Sequence, residues 1–378
     1  MNTTNINMII LICVNVLIIP FTWFLLRFIF KPRSLENKSE TNEHDEHSIL
    51  VVADNSEEKS KGNIRDIYEG ECAGDYSTKW TLTYDLVFLI IMICFLIILC
   101  TLTTIYTPII WSDWKFWLKE FISFILIIIG VFCGGLICRH YCEIDDNGYI
   151  LTNRSSHFKV NYTKKFQHLF VHLVPLVISR TKKHDLTANS LIYLCWSYYV
   201  MLLSNLILIK PLRERSKFLM IQFNSIDRPE DRPNTLLWVT LCNMISSNII
   251  TVFYRWLYQV AGLNYYLIFI FSLVNTVGDG LAEPIGVYFG KHRYKTRGCC
   301  NRTRYERSFE GSSCVFISTV FFISIFSFAF RTDSQLWITL LILPISMTIA
   351  EATSPHTCDS PFLQGTGGLI IFLIVYFI

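Results

Sequence analysis

The feature that most constrains this chain is a run without a single charged side chain from Leu86 to Ile110, dense in Ile, Leu, Phe and Cys. A helix of about 20 apolar residues crosses a bilayer, and soluble core helices do not carry runs of this length. Further apolar candidate spans, two of them carrying charged residues, lie at 121–138, 166–178, 191–208, 236–258, 263–289, 315–330, 336–350 and 367–378. With the first run, Ile6 to Phe30, they predict an all-α, polytopic integral membrane protein of about 9–10 transmembrane helices. Composition agrees: of 378 residues, 52% are hydrophobic and 17% charged, and the mean hydropathy is +0.40. That excludes a water-soluble enzyme of ordinary composition. The net charge of +3 gives no reason to expect a nucleic-acid partner. The 13 Cys lie mostly in or beside apolar runs, where Cys acts as a small hydrophobe, and no C-x-x-C spacing suggests a zinc site or a disulfide framework.

The run within residues 1–30 is too long for a signal-peptide core and has no basic residue before it, so it reads as a retained membrane anchor. Residues 31–82 turn polar and acidic and hold too few apolar side chains to offset ordering entropy, which predicts a disordered cytoplasmic segment. Residues 83–140 read as a transmembrane hairpin, with Trp111, Trp114 and Trp117 marking an interface. Residues 160–378 read as the polytopic domain that carries the chemistry.

Placing the acidic segment in the cytoplasm puts roughly 25 of the 33 Lys and Arg on that side, as the positive-inside bias requires. Four polar segments then share the cytoplasmic face: 161–168, with Lys164, Lys165 and His168; 227–233, with two Asp, two Arg and two Pro; 275–313; and 351–359, with Glu351 and Asp359. Convergence on one side is what a single active site needs.

Segment 275–313 is the richest. Asp279 and Glu283 are four apart and share a face if the backbone is helical. Leu263 to Val277 is about 22 Å long as a helix, short of the ~30 Å hydrocarbon core, so the two acids are expected near membrane depth. Each costs about 2.5–3.5 kcal/mol at the centre of a lipid-facing helix, so both should face a wet cavity, a cation or a basic partner. Hard carboxylate oxygens beside Gly and basic residues suit Mg2+ bridging nucleotide phosphates. Gly278, Gly280, Gly286 and Gly290 would let backbone approach those phosphates, and Lys291 and Arg307 would contact them. An ion pair with Lys164 or Lys165 is the structural alternative for both acids, and for the basic residues it is ordinary topology-setting charge.

These motifs resemble the CTP-dependent lipid kinase superfamily, which includes dolichol kinase, phytol kinase and the yeast-type diacylglycerol kinase and is related to the phosphatidate cytidylyltransferases. The resemblance runs through Lys164, Lys165 and His168, the block from Gly278 to Lys291, the run Arg307, Ser308, Glu310 and Gly311, and the late acids Glu351 and Asp359. It covers roughly residues 160–365 and implies transfer of the γ-phosphoryl group of CTP to the hydroxyl of a membrane lipid alcohol of polyprenol, phytol or diacylglycerol type. On that resemblance Asp279 and Glu283 hold Mg2+, and Lys291, Arg307, Ser308, Glu310 and Gly311 surround the nucleotide. Lys165 contacts phosphate, His168 or Asp359 takes the hydroxyl proton, and the endoplasmic reticulum is the implied membrane. The alternatives are a CTP-dependent lipid cytidylyltransferase and a non-enzymatic transporter or scaffold.

Overall fold

The computed structural model describes residues 79–153, 158–178, 188–228, 231–232, 234–297, 304–355 and 358–378. The expected N-terminal anchor and nearly all of the acidic segment lie outside the described residues.

The chain is all-helical and multi-pass. Helix α1, Lys79–Tyr106, ends ahead of Pro108, as helices do before a residue that cannot donate a backbone hydrogen bond. A single 3-10 turn, Pro108–Ser112, leads into α2, Trp114–Tyr141, whose first turn is capped by Asp113 Oδ1 accepting from Phe116 N–H at 3.1 Å. A short antiparallel hairpin follows, β1 Cys142–Ile144 with β2 Ile150–Asn153. Then come α3 Val160–Ile178, α4 Ala188–Leu206, and the short α5 Lys210–Arg213 and α6 Lys217–Asn224. The continuous helices α7 Thr235–Val260 and α8 Leu267–Tyr288 precede a second hairpin, β3 Arg293–Arg297 with β4 Arg304–Ser308. Helices α9 Phe309–Ile325, α10 Asp333–Thr353 and α11 Asp359–Phe377 complete the chain.

Six of these, α1, α2, α7, α8, α10 and α11, are long and apolar enough to cross a membrane, and α4 and α9 contain shorter apolar stretches. The sequence count was higher because 6–30 lies outside the described residues, 191–208 and 315–330 correspond to the two shorter apolar helices, and 166–178 was read as a further span. That segment belongs to α3, whose buried face carries Thr163, Lys164, Lys165 and Gln167, so its charged groups turn inward. The two hairpins are the other departure from a purely helical expectation; the second occupies part of 275–313.

The polarity of the molecule is inverted relative to a soluble protein. Ile90, Ile97, Phe121 and Leu341 are exposed, while Lys164, Lys165, Arg228, Asp279, Glu351 and Asp359 are buried. Lipid replaces water at the outer surface, so ionisable groups gather inside where they can satisfy one another. Close helix approach depends on small residues. A side chain at Gly135 of α2 would collide with the Ile221 carbonyl of α6.

Two spans depart from regular α-helix. α7 widens into π-type turns over Trp238–Ile245, and α8 does so over Val274–Asp279. A π turn inserts a residue into the i→i−4 ladder, turns the following side chains to a new face and frees a carbonyl. The second falls on the motif that the sequence singled out.

Candidate active site

All four polar segments come within hydrogen-bonding reach of one another, and the meeting point is α3. Lys165 Nζ lies 2.9 and 2.8 Å from the two carboxylate oxygens of Asp279, 3.2 Å from Asp359 Oδ2 and 3.8 Å from Glu283 Oε2. Three carboxylates on two spans thus surround one ammonium group. The adjacent Lys164 Nζ pairs with Asp231 Oδ2 at 2.5 Å. Arg228 closes the chain: its Nε and Nη2 grip Asp231 at 2.7 and 3.1 Å, and its Nη1 donates to Glu283 Oε1 at 2.8 Å. Asn161 Nδ2 donates to that same Glu283 oxygen at 2.6 Å.

Arg307, at the end of β4, pairs with Glu351 Oε1 at 2.9 Å and donates to the Glu351 carbonyl at 3.3 Å. Across the whole cluster five carboxylates, of Asp231, Asp279, Glu283, Glu351 and Asp359, face four cations, Lys164, Lys165, Arg228 and Arg307, a formal surplus of one carboxylate. In the loop before α7, burial alone would raise the Asp231 carboxyl, but Lys164 and Arg228 outweigh it and hold it well below the usual carboxylate range.

The cluster lines a small cleft. Lys164, Lys165, Arg228, Glu283, Arg307 and Asp359 supply charge to it, and Val171, Ile226, Val239 and Met244 make an apolar wall. The π-type stretch of α7 contributes Val239, Asn243 and Met244. His168 also lines the cleft; its Nε2 lies 3.3 Å from the Asn275 carbonyl, within the π-type stretch of α8, and 3.8 Å from Asp279. A proton on Nε2 donated to that carbonyl leaves Nδ1 as the acceptor.

The predicted residues divide into two groups. Lys165, His168, Glu283, Arg307 and Asp359 line the cleft. Asp279 is not on its wall: it lies behind Lys165, 2% exposed. The helix continues through the motif, so Asp279 sits about 18 Å along the span from Leu267. Lys291 is exposed, and Glu310 accepts from the backbone N–H groups of Lys291 and His292 at the foot of the second hairpin, away from the cleft lining.

The glycines also have a different use from the one expected. A Cβ on Gly311 would meet the Ala282 carbonyl at 2.6 Å, one on Gly286 the Ser308 hydroxyl at 2.7 Å, and one on Gly290 the Gly286 carbonyl; Gly278 faces the backbone of Val315 at 3.2 Å. Gly278 and Gly311 let α8 and α9 pack backbone to backbone. Gly280 makes only ordinary contact with Leu169. Ser308 caps α9, its hydroxyl accepting from Gly311 N–H at 3.1 Å.

Arg228 and Asp231 lie in the segment 227–233 that the sequence marked only as polar, and two further lining residues, Gln167 and Asn243, were not singled out. The signal for the first two was the density of charge and proline in 227–233. For Asn243 it was an amide inside an apolar span.

No protein-family model, curated protein or solved structure matches this chain. The chemistry of the site is therefore argued from its own geometry. Among the described residues, no three His, Cys, Asp or Glu side chains are spaced to hold a metal ion by themselves. Glu283 and Asp359 on the cleft wall are nonetheless hard oxygen donors, the type Mg2+ takes one or two of while phosphate and water complete its shell.

Proposed function

We propose that the protein is a nucleotide-dependent kinase, with CTP as phosphoryl donor, acting on the hydroxyl of a membrane lipid alcohol. The observation that carries this reading is a cleft lined by both buried charged groups and apolar side chains, formed by helices of a membrane protein. Such a site suits one hydrophilic and one greasy reactant.

The chain's own residues divide the work. Lys164, Arg228 and Arg307 face the cleft as cations able to meet phosphate oxygens. Lys165, fixed by Asp279 from behind, holds Asp359 and Glu283 in place. Bound at Glu283 and Asp359, Mg2+ would neutralise phosphate charge and offset the cluster's surplus carboxylate. The alcohol oxygen forms a bond to the γ-phosphorus while the bridge to the β-phosphate breaks, giving lipid phosphate and nucleoside diphosphate. The hydroxyl proton passes to His168 Nδ1, or to Asp359. Phosphoryl transfer asks mostly for alignment and charge neutralisation, which a preformed network supplies. We place this activity at the cytoplasmic face of the endoplasmic reticulum membrane, where CTP is dissolved.

The direct test is full-length protein in nanodiscs with CTP labelled in the γ- or α-phosphate and a panel of polyprenol, phytol and diacylglycerol acceptors. Transfer of γ-label into lipid is the expected result. Transfer of α-label would mean a cytidylyltransferase, and no transfer of either, with full folding, would refute the enzymatic reading.

A further inference from the structure

The second hairpin has two faces, and only one of them belongs to the site. Alternation along β3 turns Tyr294 and Thr296 the same way. The Tyr294 hydroxyl bonds to the Ser312 hydroxyl at 2.5 Å, and the Thr296 hydroxyl donates to the Ala352 carbonyl at 2.8 Å. Arg307, opposite Tyr294 in the register, pairs with Glu351. These contacts hold the hairpin against α9 and α10. Arg293 and Lys295 alternate to the other face and are exposed, as is Lys291 just ahead of the strand. Charge there is one-sided: β3 and β4 carry five Lys or Arg and a single acid, Glu306. Glu306 is engaged by Arg293 at 3.3 Å. Glu310 is engaged by the backbone N–H groups of Lys291 and His292 and by the His292 ring.

The place of this face in the fold says which anion it suits. The hairpin joins the end of one apolar helix, α8, to the start of another, α9, and Phe309 N–H closes its base by donating to the His292 carbonyl at 2.9 Å. Around that base the rings of Tyr288, Phe289 and Phe309 are 69%, 59% and 60% exposed. Aromatic rings at the end of an apolar span lie at the level of the lipid headgroups, and cations just beyond them meet headgroup phosphates. From this we infer that the outer face of the β3–β4 hairpin is a docking surface for an anionic phospholipid. Lys291, Arg293 and Lys295 meet the negative headgroup, while the three rings enter the boundary between headgroup and acyl chain. A zwitterionic headgroup brings its own ammonium against those cations, and a free phosphate brings no chain for the rings. The inference stands whether or not the kinase reading holds, because none of these side chains lines the cleft.

The experiment is native mass spectrometry of the full-length protein in detergent, titrated with dioleoyl phosphatidylserine or with dioleoyl phosphatidylcholine. Each Lys or Arg near an anionic lipid surface strengthens attraction about fivefold, so the first phosphatidylserine should bind at least about tenfold more tightly than the first phosphatidylcholine. The double substitution Lys291→Gln with Lys295→Gln should reduce that preference to about twofold or less. Glu306→Gln, which releases Arg293 from its partner, should increase it by about two- to fivefold, a gain that misfolding does not imitate. Equal binding of the two lipids by the unaltered protein overturns the inference without relying on any variant. A preference that survives the double substitution also overturns it. So does release of bound phosphatidylserine by millimolar inorganic phosphate, which would mean a site for soluble anions.

Discussion

Lys165 is the position at which the site can be tested most sharply. Replacing it with Met keeps much of the volume of the side chain and removes the ammonium that touches Asp279, Asp359 and Glu283. Asp279 has lost its cation at 2% exposure, and removing one partner of a buried ion pair costs about 3–5 kcal/mol. The cluster's formal surplus of one carboxylate grows to two. For a chain of 378 residues each kcal/mol moves the melting temperature by about 1.3 °C, so Lys165→Met should melt on the order of 5 °C lower. Adding Asp279→Asn returns the surplus to one and removes the most deeply buried carboxylate of the three. The double variant should therefore recover part of the loss, with a coupling of about 1–3 kcal/mol between the two positions. The assay is thermal unfolding of purified full-length protein in one detergent, across wild type, the two single variants and the double. A drop below about 2 °C for Lys165→Met, or strictly additive singles, would refute a focal ammonium at the centre of the site.

Three further outcomes follow from named contacts. Gly311→Ala should destabilise by about 1–3 kcal/mol because its Cβ meets the Ala282 carbonyl at 2.6 Å, while Gly280→Ala, with only ordinary contacts, should be neutral or stabilising; melting temperatures distinguish them. Lys291→Ala should leave CTP binding within about twofold of wild type, since Lys291 is exposed and off the cleft wall, whereas Arg307→Met should weaken it at least tenfold in equilibrium binding. The Asp231 carboxyl is depressed in the folded state, so the stability it contributes is fully present above its unfolded pKa near 3.9 and is lost as pH falls through the lower folded value; acid unfolding curves should show this loss in wild type and lack it in Asp231→Asn.

The sequence by itself determined the medium and the helical character of the long apolar runs. Runs such as Leu86 to Ile110 can satisfy their backbone in lipid only as helices, so span positions followed from composition and length. It also identified the polar segments that meet, because a charged group in an apolar protein must find a partner. Partnership was beyond its reach. That Lys165, not a gap between acids, lies at the focus of Asp279, Glu283 and Asp359 depends on how α3, α8 and α11 cross. That Arg228 reaches Glu283, 55 residues later, depends on the path of the loop before α7. The π-type turns in α7 and α8 leave no mark in hydropathy, yet they set which side chains face the cleft. Gly278, read as part of a phosphate cradle, lies against the backbone of α9, because local spacing permits either use and only the neighbour opposite the Cα decides between them.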